Sequence, residues 1–97
     1  MAHLNIVKRH DLSPAEARVA AEEVARDLRA RFDLAYRWEG ERIMFERAGL
    51  SGELCVAPGE VRLDCRLGFV LSALKSAIER EVHREFDRRF AGPTAPG

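Results

Sequence analysis

The 97-residue sequence contains little that would cross-link it or act at a distance: two cysteines, four prolines, one tryptophan, one tyrosine, and sixteen basic side chains cancelled by sixteen acidic ones. Cys55 and Cys65 alone supply neither the paired framework that staples a small secreted domain nor the four ligands of a structural zinc site. Zero net charge removes the long-range field that gathers nucleic acid or anionic lipid around a whole protein, so a charged partner has to be met by a local patch. No stretch approaches the roughly 20 apolar residues of a membrane-spanning helix. The opening Met1-Ala2-His3-Leu4-Asn5-Ile6-Val7-Lys8 lacks the apolar run and small-residue cleavage site of a secretory signal. These absences predict a cytoplasmic protein with no transmembrane segment, and they argue against a nucleic-acid partner.

The remaining composition is that of a globular chain, with 46% apolar and 33% charged residues, enough hydrophobicity to escape disorder and enough length for one core. One α+β domain over residues 1–91 is expected. Gly92-Pro93-Thr94-Ala95-Pro96-Gly97 reads as a disordered C-terminal tail that stops the last helix.

Periodicity divides the domain. Leu4-Asn5-Ile6-Val7 reads as a first strand. Ser13-Pro14-Ala15-Glu16 then spells a helix start, since the Ser hydroxyl can accept an orphan N–H, Pro suits the first turn and Glu16 completes a capping box. Ala17, Ala21, Val24, Leu28 and Phe32 recur at helical spacing, with Glu22/Arg26 and Asp27/Arg31 on the wet side. From Leu34 to Leu67 the period becomes two, which predicts four short strands. Three turns set their register. A Glu39-Gly40 turn pairs Tyr36 with Ile43 and Leu34 with Phe45; Gly49-Leu50 pairs Phe45 with Leu54 and Ile43 with Val56; Ala57-Pro58-Gly59-Glu60 pairs Val56 with Val61 and Leu54 with Leu63. After Gly68 a second helix is expected, capped by Ser72, with Leu71, Leu74, Ile78, Val82, Phe86 and Phe90 as its buried stripe. The order β-α-β-β-β-β-α, with one apolar sheet face and two amphipathic helices, predicts two layers: an antiparallel sheet with both helices on one face.

Catalytic readings fare poorly against structural ones. Ser72-Ala73-Leu74-Lys75 has the S-x-x-K spelling of penicillin-recognising enzymes, but the chain is too small for that fold and Ser72 is accounted for as a cap. His3, His10 and His83 read as surface histidines rather than acid/base groups. Cys65 falls in phase with the core and Cys55 on the opposite sheet face, so the thiols do not meet. No nucleophile, base and oxyanion set assembles, no cofactor or metal site is indicated, and no enzymatic activity is expected.

Two surfaces remain. The exposed sheet face carries Ala35, Met44 and Cys55 as a modest apolar strip near Arg62, beside an acidic row in which Glu46 faces Glu53 and Glu53 faces Asp64, with Arg62 and Arg66 as diagonal neutralisers. The last helix carries Arg80, Arg84 and Arg88 at four-residue spacing, a basic face offset by Glu81 and Glu85.

Tyr36-Arg37-Trp38-Glu39-Gly40, then Ile43-Met44-Phe45 and Gly49-Leu50-Ser51-Gly52, and finally Leu67-Gly68-Phe69-Val70-Leu71-Ser72 through Lys75 to Ile78-Glu79, resemble the polyhydroxyalkanoic acid system family, small bacterial proteins associated with polyester storage-granule genes. The resemblance spans nearly the whole chain, and Leu67 to Lys75 is its most specific part. Ala73 stands where that family would place Pro. What it implies is a cytoplasmic protein at or near granule surfaces, without catalytic residues to carry over.

The leading expectation is therefore a non-catalytic binding module that docks on a polyester granule, on a granule protein or on itself as a homodimer, through the open sheet face (Ala35, Met44, Cys55, Arg62) or the basic helix face (Arg80, Arg84, Arg88). One alternative is a ribosome- or RNA-associated module of β-α-β-β-β-α type. The other is a carrier of a small apolar ligand, with Trp38, Phe45 and Phe69 lining a cavity between sheet and helix.

Overall fold

The computed structural model describes residues 2–90, so the tail expected over 92–97 lies outside the described residues. Strand β1 (Ala2–Arg9) is longer than its apolar centre suggests, because its flanks pair fully with β5 (Glu60–Leu67) from Ala2↔Leu67 to Arg9↔Glu60. Helix α1 (Pro14–Phe32) starts at Ser13 with both halves of the expected capping box in place, and ends at Asp33 in the left-handed conformation. Strands β2 (Ala35–Glu39), β3 (Arg42–Arg47) and β4 (Leu50–Ala57) follow, and α2 (Lys75–Arg89) closes the fold.

The five strands form one antiparallel sheet in the order β1-β5-β4-β3-β2, so the outermost strands are the first two in the chain and α1 carries the chain from one edge to the other. Leu4, Ile6, Ile43, Phe45, Leu54, Val61, Leu63 and Leu67 point to one face, where they are buried with Val24 and Leu28 of α1 and Ile78, Val82, Phe86 and Phe90 from the α2 segment in a single core. The two-layer α+β arrangement read from the sequence is the one observed.

Two of the three hairpin registers differ from expectation, each by two residues. Strands β2 and β3 are joined through Gly40-Glu41, so Tyr36 faces Phe45 and Trp38 faces Ile43. Strands β3 and β4 turn at Ala48-Gly49, so Phe45 faces Gly52 and Ile43 faces Leu54. Each observed turn places a glycine where φ is positive, +64° at Gly40 and +83° at Gly49. A two-residue slip returns every side chain to its own face, which is why an alternation pattern cannot detect it. The third turn pairs Val56 with Val61 and Leu54 with Leu63 as expected.

The start of the second helix also differs. Residues Leu71–Leu74 form a 3-10 turn, α2 begins only at Lys75, and Ser72 caps neither; its hydroxyl donates to the Phe69 carbonyl at 2.7 Å. Leu74, expected in the buried stripe, is consequently exposed.

Candidate functional site: the open face of the sheet

Because both helices cover one side, the other side of the sheet presents the alternate residues of every strand. Its cross-strand rows follow from the register. Asn5, Asp64, Glu53, Met44 and Arg37 form one, and Val7, Arg62, Cys55, Arg42 and Glu39 form the next. Ala35 is exposed, while Met44 and Cys55 are half-buried, and the three lie on a diagonal through adjacent strands. Arg62 stands between Cys55 and Val7 on this face, so the apolar strip is interrupted there. A shallow hollow of about 480 Å³ opens at the centre, bordered by His3, Arg37, Met44, Glu46, Glu53 and Arg66 among others.

The acidic row is shorter than expected. Glu53 does face Asp64, but Glu46 faces Ser51, and Met44 takes the place across from Glu53, a direct result of the two-residue slip. The facing carboxylates are compensated by other groups than Arg62 and Arg66. Arg42 Nη1 donates to Glu53 at 3.0 Å, and Asp64 is approached by His3 Nε2 at 3.4 Å and by the Asn5 amide. Arg62 instead reaches Glu60 at 3.2 Å, and Arg37 reaches Glu39 at 2.8 Å. Charge on this face is thus largely matched within the face. Burial, and then the adjacent Glu53 carboxylate, push the Cys55 thiol above its ordinary range, the opposite of what a nucleophilic cysteine requires.

The basic helix face is more committed than its spacing suggests. Arg84 approaches Glu81 at 3.7 Å and Arg88 approaches Glu85 at 3.2 Å, while Arg80 makes no ion pair among the described residues. Both glutamates are buried and turned toward α1, Glu85 being only 1% exposed. Arg89 ties the helices together, donating to Glu85 at 2.8 Å, to Asp27 at 2.7 Å and to Glu23 at 3.0 Å. Desolvation raises the Glu85 carboxyl, whereas the Arg89 bond holds Asp27 down.

Two features escaped the sequence pattern. Glu22, expected on the wet side of α1, accepts from Tyr36 Oη and Trp38 Nε1, both at 2.7 Å. The signal was available, since two aromatics with polar handles on the core face need a partner for those handles. The other is the loop after β5, where Phe69 is 85% and Val70 81% exposed. His10 also departs from expectation: it is buried against Phe90, its Nδ1 accepting from the Leu12 N–H. His3 and His83 are exposed.

A small-ligand carrier would need an apolar cavity between the sheet and the helices. The space between sheet and helices lined by Phe45, Leu63 and Ile78 is about 20 Å³, room for about one water rather than an acyl chain. Trp38 points to Glu22 and Phe69 to solvent, so neither lines it. No helix among the described residues is long and apolar enough to cross a membrane.

Comparison with known proteins agrees with this architecture. Residues 4–90 match the family model described as "Putative polyhydroxyalkanoic acid system protein", and the chain belongs to that family. No curated protein matches the sequence. Among solved structures, the chain is similar to PA4090 from Pseudomonas aeruginosa, determined by NMR, with a TM-score of 0.59 over 91% of this chain and 83% of that one, at 12% identity. A likeness at that identity establishes the shared fold.

Proposed function

We propose, with family membership as the premise, that this chain is a non-catalytic docking module of a polyhydroxyalkanoate system, acting in the cytoplasm at a polyester granule or on a granule protein through its open sheet face. One observation carries this reading: both helices lie on one side of the sheet, leaving Ala35, Met44 and Cys55 uncovered on the other amid charges that are already paired. A face matched internally attracts no strongly charged partner from a distance, and it offers short-range apolar and hydrogen-bonding contact instead. Homodimerisation through the same face is its simplest form. The helix face is less suited, because Arg84 and Arg88 are engaged by buried carboxylates.

Met44→Lys tests it. The change removes apolar contact and adds a cation near Arg37 and Arg42, outside the core. The variant should fold normally, lose co-purification with polyester granules and lose any self-association seen by sedimentation. A normally folded variant unchanged in both assays refutes docking at this face.

A further inference from the structure

The loop between β5 and α2 has the exposure of a tail and the bonding of a core element. Phe69 and Val70 are 85% and 81% exposed, and Leu74, one helical turn on, is 37% exposed. Yet the loop is tied down: Gly68 N–H donates to the Gly49 carbonyl at 2.7 Å, and Ser72 N–H donates to the Gly68 carbonyl at 2.9 Å. Ser72 Oγ donates to the Phe69 carbonyl at 2.7 Å. The side chain of Leu71 sits against Gly49 and packs on the core. Two large apolar side chains are therefore held outward, and the Gly68 and Phe69 carbonyls beneath them are already satisfied. A tip so built can leave water without stranding those polar groups.

The charges around the tip supply the second observation. Arg66 lies three residues before Phe69, Lys75 directly follows Leu74, and Arg47 shares the cross-strand row of Leu50 and Leu67 beside the Gly49 anchor. None of the three makes an ion pair among the described residues, although Arg37, Arg42, Arg62, Arg84, Arg88 and Arg89 all do; Arg47 instead donates to the Phe32 carbonyl at 2.7 Å, so only Arg66 and Lys75 of the three have side chains without a polar partner among the described residues. Of the carboxylates at this end, Glu46 is turned to Arg37 at 3.9 Å, which leaves Asp33 and, one helical turn after Lys75, Glu79. Arg9, Arg18, Arg29 and Arg80 also lack an ion pair among the described residues, but Arg66 and Lys75 are the two that flank the apolar tip in sequence.

We propose that Phe69, Val70 and Leu74 form an interfacial anchor that inserts into an anionic phospholipid surface, with Arg66 and Lys75 meeting the headgroups. Two copies meeting tip to tip would bring both cation collars together, and a neutral polymer surface would leave the collar without a partner. An anionic amphiphilic surface satisfies both halves of the arrangement. The apolar tip lies at one end of the sheet, outside the docking face, although Arg66 also borders the hollow of that face.

The test is co-sedimentation of the full chain with phosphatidylglycerol/phosphatidylcholine vesicles, with pure phosphatidylcholine vesicles and with polyhydroxybutyrate particles. Wild type should bind the anionic vesicles, and rising salt should release it. Phe69→Ser should weaken binding by about tenfold. Lys75→Gln and Arg66→Gln should each weaken it by about fivefold at low salt. All three substitutions are at exposed positions, so thermal unfolding should be unchanged. A Phe69→Trp variant should show blue-shifted emission with anionic vesicles. Wild type should not, because its Trp38 lies beside the Gly40 turn at the opposite end of the sheet. Equal binding to phosphatidylcholine, binding to the polymer alone, no vesicle binding, or an unaffected Phe69→Ser would each overturn the proposal. Since Met44→Lys leaves the tip intact, its vesicle binding should match wild type even where granule co-purification fails.

Discussion

Trp38 Nε1 donates to Glu22 Oε1 at 2.7 Å and so fastens the edge strand β2 to the middle of α1. Tyr36 Oη holds the other carboxylate oxygen at 2.7 Å, and the Arg18 guanidinium lies 4.0 Å over the Trp38 ring. An edge strand paired on one side gains from this clamp what a central strand gains from a second neighbour.

Those two hydrogen bonds, from Trp38 first, hold the Glu22 carboxyl below its ordinary 4.5. A depressed carboxyl contributes stability above its unfolded value and loses it as pH falls through the folded one. Emission of the single tryptophan should therefore shift in an acid titration below pH 4.5 while the fold is intact. Glu22→Gln should abolish that transition and destabilise the protein by about 1–2 kcal/mol at pH 7. An identical acid transition in the variant would refute the assignment.

Arg89→Met should destabilise by up to about 3 kcal/mol at pH 7, because it leaves the buried Glu85 carboxylate with only the exposed Arg88 for a cation. The sign with pH follows from both partners. Glu85 is already raised by desolvation and would rise further, so its variant form regains stability as pH falls and it protonates. Asp27 is lowered by Arg89, a contribution that wild type itself loses in acid. Denaturant melts should show the penalty narrowing from pH 7 towards pH 4, and a penalty that grows in acid would contradict the network.

Gly52→Ala should cost about 1–3 kcal/mol. A Cβ there would stand 2.8 Å from the Asp64 carbonyl and 3.2 Å from Cys65 Cα, both backbone atoms of the neighbouring strand that cannot turn away. Ser51→Ala, at the adjacent exposed position, should stay within about 0.5 kcal/mol by the same measurement.

Thiol labelling of the native protein should modify Cys55 before Cys65. Cys55 is half-buried on the open face, whereas Cys65 is 5% exposed and burial pushes its thiol up to about 11. Cys65 should react at an appreciable rate only in denaturant. Equal native rates would mean that β5 does not hold Cys65 in the core.

The sequence by itself determined which face each strand residue takes, the capped start of α1 and the two-layer class. Each of these depends on short-range chemistry: side-chain period, capping groups and turn residues. It also carried the marks of its family, from Tyr36 through Glu79. The hairpin registers at Gly40 and Gly49 were settled only by the tertiary structure, because a slip of two keeps every side chain on its own face and changes only which residues stand opposite each other. That slip moved Met44 into the place across from Glu53 that the pattern had given to Glu46. The engagement of Glu22 and the burial of Glu81 and Glu85 were likewise invisible in a helix repeat that assigns glutamate to water. Each is held by a partner distant in sequence, such as Trp38 at Glu22 or Arg31 at Glu81. Leu74 ended outside rather than inside because the 3-10 turn displaced the start of α2 to Lys75, and a displacement of that kind depends on where Leu71 finds the core.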